Sequence, residues 1–205
     1  MPKTAYHHGD LRQALIRAGI DVARTGGPAA VVLRAVSREV GVSHNAAYRH
    51  FADREDLLAA VAAGCMERLG RLMVERTAEV RSPDPVERAW ARLEAIGRAY
   101  IEFALTEHGW FRTAFSGAAA HGGKPPVPAA DQCATDPYTL LAQRLDELVE
   151  VGALPAERRP GAQYAAWAAV HGLSSLLVDG PLQDLPEGER RAAADSVLAT
   201  VSRGL

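Results

Sequence analysis

The chain has 205 residues, 48% of them hydrophobic and 23% charged, with a formal net charge of −2. That length buries a full core, and the apolar content with so little net charge excludes a disordered chain. Two cysteines, Cys65 and Cys133, exclude a disulfide framework and a cysteine zinc quartet. The N-terminus has no apolar core of a signal peptide, and the most apolar run, residues 162–178, is interrupted by Gln163, His171, Ser174 and Ser175. It is too short and too polar to span a bilayer, so a soluble cytoplasmic protein is expected. The charge is uneven. Residues 1–54 carry eight Lys/Arg against four acids, whereas the remainder carries 15 basic and 21 acidic residues. A basic front end on an acidic body points to a polyanionic partner, although a solvated face of mixed charge gives the same count.

Apolar residues recur at helical spacing throughout and strand-like alternation is nearly absent, which predicts an all-α chain of about nine helices. The first carries Leu11, Leu15, Ala18 and Val22 on one face, with Asp10 as N-cap and Gly26-Gly27-Pro28 as the stop. A short second helix spans roughly Leu33 to Val40 and ends at Gly41. A third runs from Ser43 to about His50. Asp53 caps a long fourth helix striped by Leu58, Ala62, Cys65, Leu69 and Leu72, and Ser82-Pro83-Asp84-Pro85 ends it and starts the fifth. An aromatic helical piece follows at Gly109 to Ser116, then a Gly/Pro/Ala-rich loop from Gly117 to Pro137. Helices over Tyr138 to Val151, Gly161 to Val178 and Gly188 to Ser202 complete the chain. No internal repeat is present.

The informative segment runs from Leu33 to Phe51 and has the grammar of a helix-turn-helix. Leu33, Val36 and Val40 make one face of the first helix, Gly41 supplies the left-handed turn, and Val42, Ala46 or Ala47 and Phe51 pack inward. A second helix held this way enters a major groove with its N-terminal residues leading. His44, Asn45, Tyr48 and Arg49 then project outward. Asn45 suits an adenine edge and His44 a base donor or acceptor, while Ser43, Tyr48 and His50 suit phosphate oxygens. Arg54 opposes a helix dipole in the first turn of the fourth helix; either a phosphate or surface pairing with Glu55 or Asp56 explains it.

From Tyr6-His-His-Gly-Asp-Leu-Arg12 through Leu33-Arg-Ala-Val36, Gly41-Val-Ser43 and Tyr48-Arg-His-Phe51 to Asp53-Arg-Glu-Asp-Leu57, the chain resembles the TetR family of transcriptional regulators. The resemblance implies residues 1–53 as a helix-turn-helix DNA-binding domain and 54–205 as a ligand-binding and dimerisation domain. It puts His44, Asn45 and Ala46 at or against bases, and Tyr48, His50 and Arg54 on phosphates. Arg54 stands where Lys is commoner. Val32 stands where a Ser or Thr usually caps the second helix, so that cap is lost at a cost of about 1 kcal/mol. Trp167-Ala-Ala-Val-His171-Gly172 resembles a Trp-xxx-His-Gly signature of one branch. In such proteins the last two helices pair with their counterparts, for which the stripe Tyr164, Ala168, His171, Ser175 and the set Ala194, Val197, Leu198, Val201 are candidates; completing the protomer's own core is the other use of these faces.

The resemblance also implies an effector cavity. Trp90, Tyr100, Phe103, Trp110, Phe111, Phe115 and Trp167 either line it or are plain core, with His108 and His171 as its polar contacts. His7 and His8 read as an arm and not a metal pair. Gly117 to Lys124 fails the spacing of a phosphate loop, and no catalytic set or metal-ligand spacing stands out. Cys65 is expected to be inert packing, and Cys133 lies in the loop. The expected protein is a non-enzymatic, cofactor-free regulator, a homodimer on a pseudo-palindromic double-stranded DNA operator, released by a small molecule. The competing reading is an all-helical small-molecule-binding protein or enzyme that does not bind DNA.

Overall fold

The computed structural model describes residues 8–117 and 136–205, with side chains from residue 11 onward in the first stretch. Helices α1 (His8–Ala30), α2 (Leu33–Val40), α3 (His44–Tyr48), α4 (Arg54–Glu79), α5 (Pro85–Thr106), α6 (His108–Ala114), α7 (Pro137–Glu150), α8 (Ala162–Val178) and α9 (Glu187–Gly204) follow in order, with one 3-10 turn at Ala156–Arg158. There is no strand among the described residues, and none of their helices is long and apolar enough to cross a membrane. The arm at His7, the segment Ala118–Lys124 and Cys133 lie outside the described residues.

Two compact units emerge: residues 8–66 with 107–117, and residues 67–106 with 136–205. The division expected after residue 53 follows chain order; the units do not. Leu57, Leu58, Val61 and Cys65 of α4 are buried with Leu15, Ile20, Val36, Ala47 and Phe51, so the first half of α4 belongs to the first core. Helix α6 joins it from far along the chain. A Cβ at Gly109 would lie 2.1–2.2 Å from the carbonyl oxygens of Arg24 and Ala23, so only glycine lets α6 seat on α1. Trp110 Nε1 donates to the Ile20 carbonyl at 2.7 Å, and Arg24 lies over the Trp110 ring while pairing with Glu107 at 2.7 Å.

Local signals set the helix ends. Helix α1 starts at His8, two residues ahead of the expected cap Asp10, whose side chain lies outside the described residues. Gly27 at φ 60° breaks the helix where the Gly-Gly-Pro cluster predicts, yet Pro28 starts one more turn that reaches Ala30. Asp53 Oδ1 accepts from the Asp56 amide at 2.8 Å while Asp56 Oδ2 accepts from the Ala52 amide at 3.1 Å, a reciprocal cap at the start of α4. Asp84 Oδ1 caps α5 through the Glu87 amide at 2.8 Å, and Asp136 Oδ2 caps α7 through the Thr139 amide at 2.8 Å. In the second unit α5 packs against α7, α8 and α9, bringing Leu93, Ile96 and Tyr100 together with Leu141, Val170 and Leu198, and Phe103 is buried as well.

Candidate functional site

Helix α3 is short because its support is local. Val32 leaves α2 without a side-chain cap, and Gly41 at φ 73° ends it in the left-handed conformation. The Val42 amide reaches back to the Ser37 carbonyl at 3.0 Å, which turns the chain sharply. Ser43 then caps α3, accepting from the Ala46 amide at 3.2 Å. Helical geometry stops at Tyr48, two residues earlier than expected, and the backbone turns through Arg49 and His50 into Phe51. Ala47 and Phe51 are fully buried and fix the helix against the first core.

What remains outside is polar. Ser43, His44, Asn45 and Arg49 are exposed, Tyr48 is 49% exposed, and Ala46 and His50 are half-buried. The rings of His44 and Tyr48, one turn apart, meet edge to face with centroids 4.6 Å apart, which restrains both without covering either. Arg54 differs from these. Its Nη2 donates to the Pro28 carbonyl at 2.7 Å and its Nη1 to Glu55 at 3.3 Å, so it ties the start of α4 to the last turn of α1. Arg12 of α1 lies over the Phe51 ring at 5.0 Å, a cation near α3 that the motif alone did not single out.

The nine residues considered for a cavity separate. His108, Trp110, Phe111 and Phe115 belong to the first unit: His108 is exposed, Trp110 and Phe115 pack on the first core, and Phe111 stacks on Phe115 at 5.1 Å. In the second unit, Tyr100 and Trp167 line a cavity of about 40 Å³ with Met73, Leu93, Gly97, Val170 and Leu198; Trp90 and Phe103 are not among its walls. The Tyr100 hydroxyl and His171 Nδ1 are hydrogen-bonded at 2.8 Å, and Trp167 meets Tyr100 edge-on at 5.9 Å. Burial raises the Tyr100 pKa above its ordinary value and lowers that of His171, so the pair is held uncharged at neutral pH. Glu94 also borders the cavity, but Arg98 donates to its Oε1 through Nε at 2.8 Å and Nη2 at 2.6 Å. The aliphatic walls were missed in the sequence because Leu, Val and Met at helical spacing read as core whether or not a void lies between them.

The final helices divide similarly. Ala194 and Leu198 are buried in the core of their own unit, while Val197 and Val201 are half-buried. A methyl at Gly97 would lie 2.5 Å from Leu198 Cδ2, which shows how closely α9 rides on α5. On α8, by contrast, Tyr164 is 72% and Leu176 44% exposed, with Ala165 and Ala168 exposed between them.

Residues 15–61 match the family model for bacterial regulatory proteins of the tetR family, and residues 93–201, just over half the chain, match that for the tetracyclin repressor-like C-terminal domain. Among solved structures, a protein of unknown function from Rhodococcus sp. RHA1 is 27% identical with a TM-score of 0.73, covering 99% of both chains. A TetR-family transcriptional regulator from Pectobacterium atrosepticum is 17% identical with a TM-score of 0.68 over 99% of this chain and 96% of that one. Another TetR-family regulator, from Marinobacter aquaeolei VT8, is 15% identical with a TM-score of 0.59 over 92% and 93% of the two chains. No curated protein matches the sequence.

Proposed function

The chain belongs to the TetR family of DNA-binding transcriptional regulators, and from that premise we propose that it is a repressor, a homodimer that leaves its operator when a small molecule enters the second unit. The observation that carries the DNA half is the exposed set His44, Asn45, Tyr48 and Arg49 on a helix whose small side, Ala47, is sealed into the core. His44 and Asn45 select bases, while Ser43, Tyr48, His50 and Arg49 hold phosphates and set register. Arg54 reaches a phosphate only by sharing its guanidinium with the Pro28 carbonyl. Two reading helices related by two-fold symmetry require half-sites about 34–36 Å apart. The exposed apolar face of α8, from Tyr164 to Leu176, is the surface that joins the two copies.

The effector half rests on the cavity. At about 40 Å³ it is far below the roughly 300–1,000 Å³ of a formed ligand site, so an effector needs an opened conformation of this unit. An effector that binds an opened conformation better shifts the population toward it, and a coupling of roughly 1–3 kcal/mol changes operator affinity from several-fold to about a hundredfold. No catalytic role is assigned to any residue.

Electrophoretic mobility shift with the DNA upstream of the chain's own gene, at two salt concentrations, tests the reading. Affinity falls steeply with salt, by a slope of about −0.9 per phosphate neutralised. Salt-insensitive or absent binding overturns it in favour of an all-helical binding protein or enzyme. Sedimentation of Leu176→Glu tests the dimer: the wild type is a dimer and the variant a monomer if α8 joins the copies.

A further inference from the structure

A groove at the junction of α4 and α5 has a composition that the rest of its unit lacks. Residues 67–106 and 128–205 carry 18 acids against 13 bases, yet this groove, about 460 Å³, is walled by Val80, Ser82 and Pro83 with Arg81, Arg88 and Arg92; the Glu87 carboxylate reaches it only through the Ser82 hydroxyl, which donates to it at 3.2 Å. Arg88 and Arg92 are one turn apart on α5 and so share a face.

Each of the three guanidiniums is tethered through one nitrogen. Arg81 Nη1 donates to the Ala78 and Val80 carbonyls, and Arg88 Nη1 to the Ser82 carbonyl at 2.8 Å and the Pro83 carbonyl at 3.5 Å. Arg92 Nη1 donates to Glu147 at 2.6 Å, a carboxylate that Arg144 shares at 2.8 Å. Arg92 Nε is buried and meets no acceptor among the described residues. That nitrogen is sealed from solvent, so the donors that Arg92 offers the groove are on its terminal nitrogens. A guanidinium has five N–H donors in a planar fork, so single-nitrogen tethers position these three forks and leave most of their donors uncommitted.

We infer that this groove is an oxyanion site, separate from the apolar cavity and from the DNA-reading helix, that takes inorganic phosphate or the phosphate of a small phosphomonoester. A tetrahedral dianion offers acceptors in several directions and suits several forks at once. A planar carboxylate is satisfied by one. Backbone carbonyls hold Arg81 and Arg88 without neutralising them, and Glu147 divides its charge between Arg92 and Arg144. The groove therefore retains positive charge for an incoming anion. Arg81 and Arg88 also fix the loop between the two helices, so an anion binding there stiffens that junction.

Isothermal titration of the full-length protein at constant ionic strength, with inorganic phosphate, glycerol phosphate, acetate and chloride, tests the assignment. Saturable binding of phosphate or glycerol phosphate is expected, at least tenfold tighter than acetate, with chloride showing none. Tighter phosphate indicates the free ion as ligand; tighter glycerol phosphate indicates a phosphorylated metabolite. Arg88→Gln and Arg92→Gln each weaken binding at least tenfold, Arg88→Lys restores part of it, and Arg71→Gln, on exposed α4, changes nothing. Melting temperature with and without 10 mM phosphate provides the second readout: the wild type is raised and the two glutamine variants are not. Equal response to every anion, binding retained in both glutamine variants, or an equal loss in Arg71→Gln overturns the site. So does loss of operator affinity in Arg88→Gln without any saturable phosphate binding, which would make the groove a DNA contact.

Discussion

The two units offer contrasting surfaces. The first places polar side chains on a five-residue helix in full view of solvent; the second lines a void of about 40 Å³ with aliphatic and aromatic walls. A preformed polar face needs only rigidity to act, so its energetics lie in the packing beneath it. A small apolar cavity needs room, so its energetics lie in what must move. Substitutions in the first unit should accordingly separate stability from recognition cleanly, and those in the second should not.

The largest effect is expected at Phe51, which is fully buried under α3. Phe51→Ala should cost about 3–5 kcal/mol by urea unfolding and abolish operator binding with it. Normal DNA affinity in this variant would mean that the reading helix does not depend on the first core. Next, Asn45→Ala should leave unfolding unchanged and alter operator preference by about 1–3 kcal/mol at one base position, measured by competition between operator variants. A uniform loss across all operators would reassign Asn45 from bases to phosphates. Ser43→Ala removes the cap of α3 and should cost about 1 kcal/mol of stability, with a matching drop in melting temperature. Arg54→Ala should weaken every operator alike; any accompanying loss of stability measures its tie to Pro28.

The smallest effect sharpens the second unit. Burial holds the His171 pKa below its ordinary 6.5, so on acidification the unfolded chain takes up this proton before the folded chain does. Stability therefore falls as pH drops through about 6.5 and levels off only once the folded histidine is itself protonated. Burial of Tyr100 raises its pKa, which places a corresponding loss on the alkaline side, above the ordinary tyrosine pKa of 10.0. Thermal melts from pH 7.5 to 5 should show a shallower decline in His171→Gln than in the wild type. Parallel curves would remove His171 as the titrating group.

Much of this was legible along the chain. Gly41, Ser43, Asp53 and Asp84 announce their turns and caps because each acts within about four residues of itself. The exposure of His44, Asn45, Tyr48 and Arg49 follows from the same local grammar, since Ala47 and Phe51 leave them only one side to occupy. The aromatics were not assigned in this way. Trp110, Phe111 and Phe115 read as candidates for one cavity with Tyr100 and Trp167, and only the seating of Gly109 on α1 carries them to the first core. Leu198 read as either a dimer or a core residue, and its burial against Gly97 placed it in the core.

By itself, the sequence determined an all-helical chain, the turn between α2 and α3 and the polar identity of α3, because backbone capping, left-handed glycines and helical periodicity are short-range. The tertiary structure decided which core each aromatic joins, where a void remains and which arginines share a groove. Those outcomes depend on contacts between residues 90 or more positions apart, such as Trp110 with Ile20 and Gly97 with Leu198, and no local pattern encodes which of several equally apolar faces will meet.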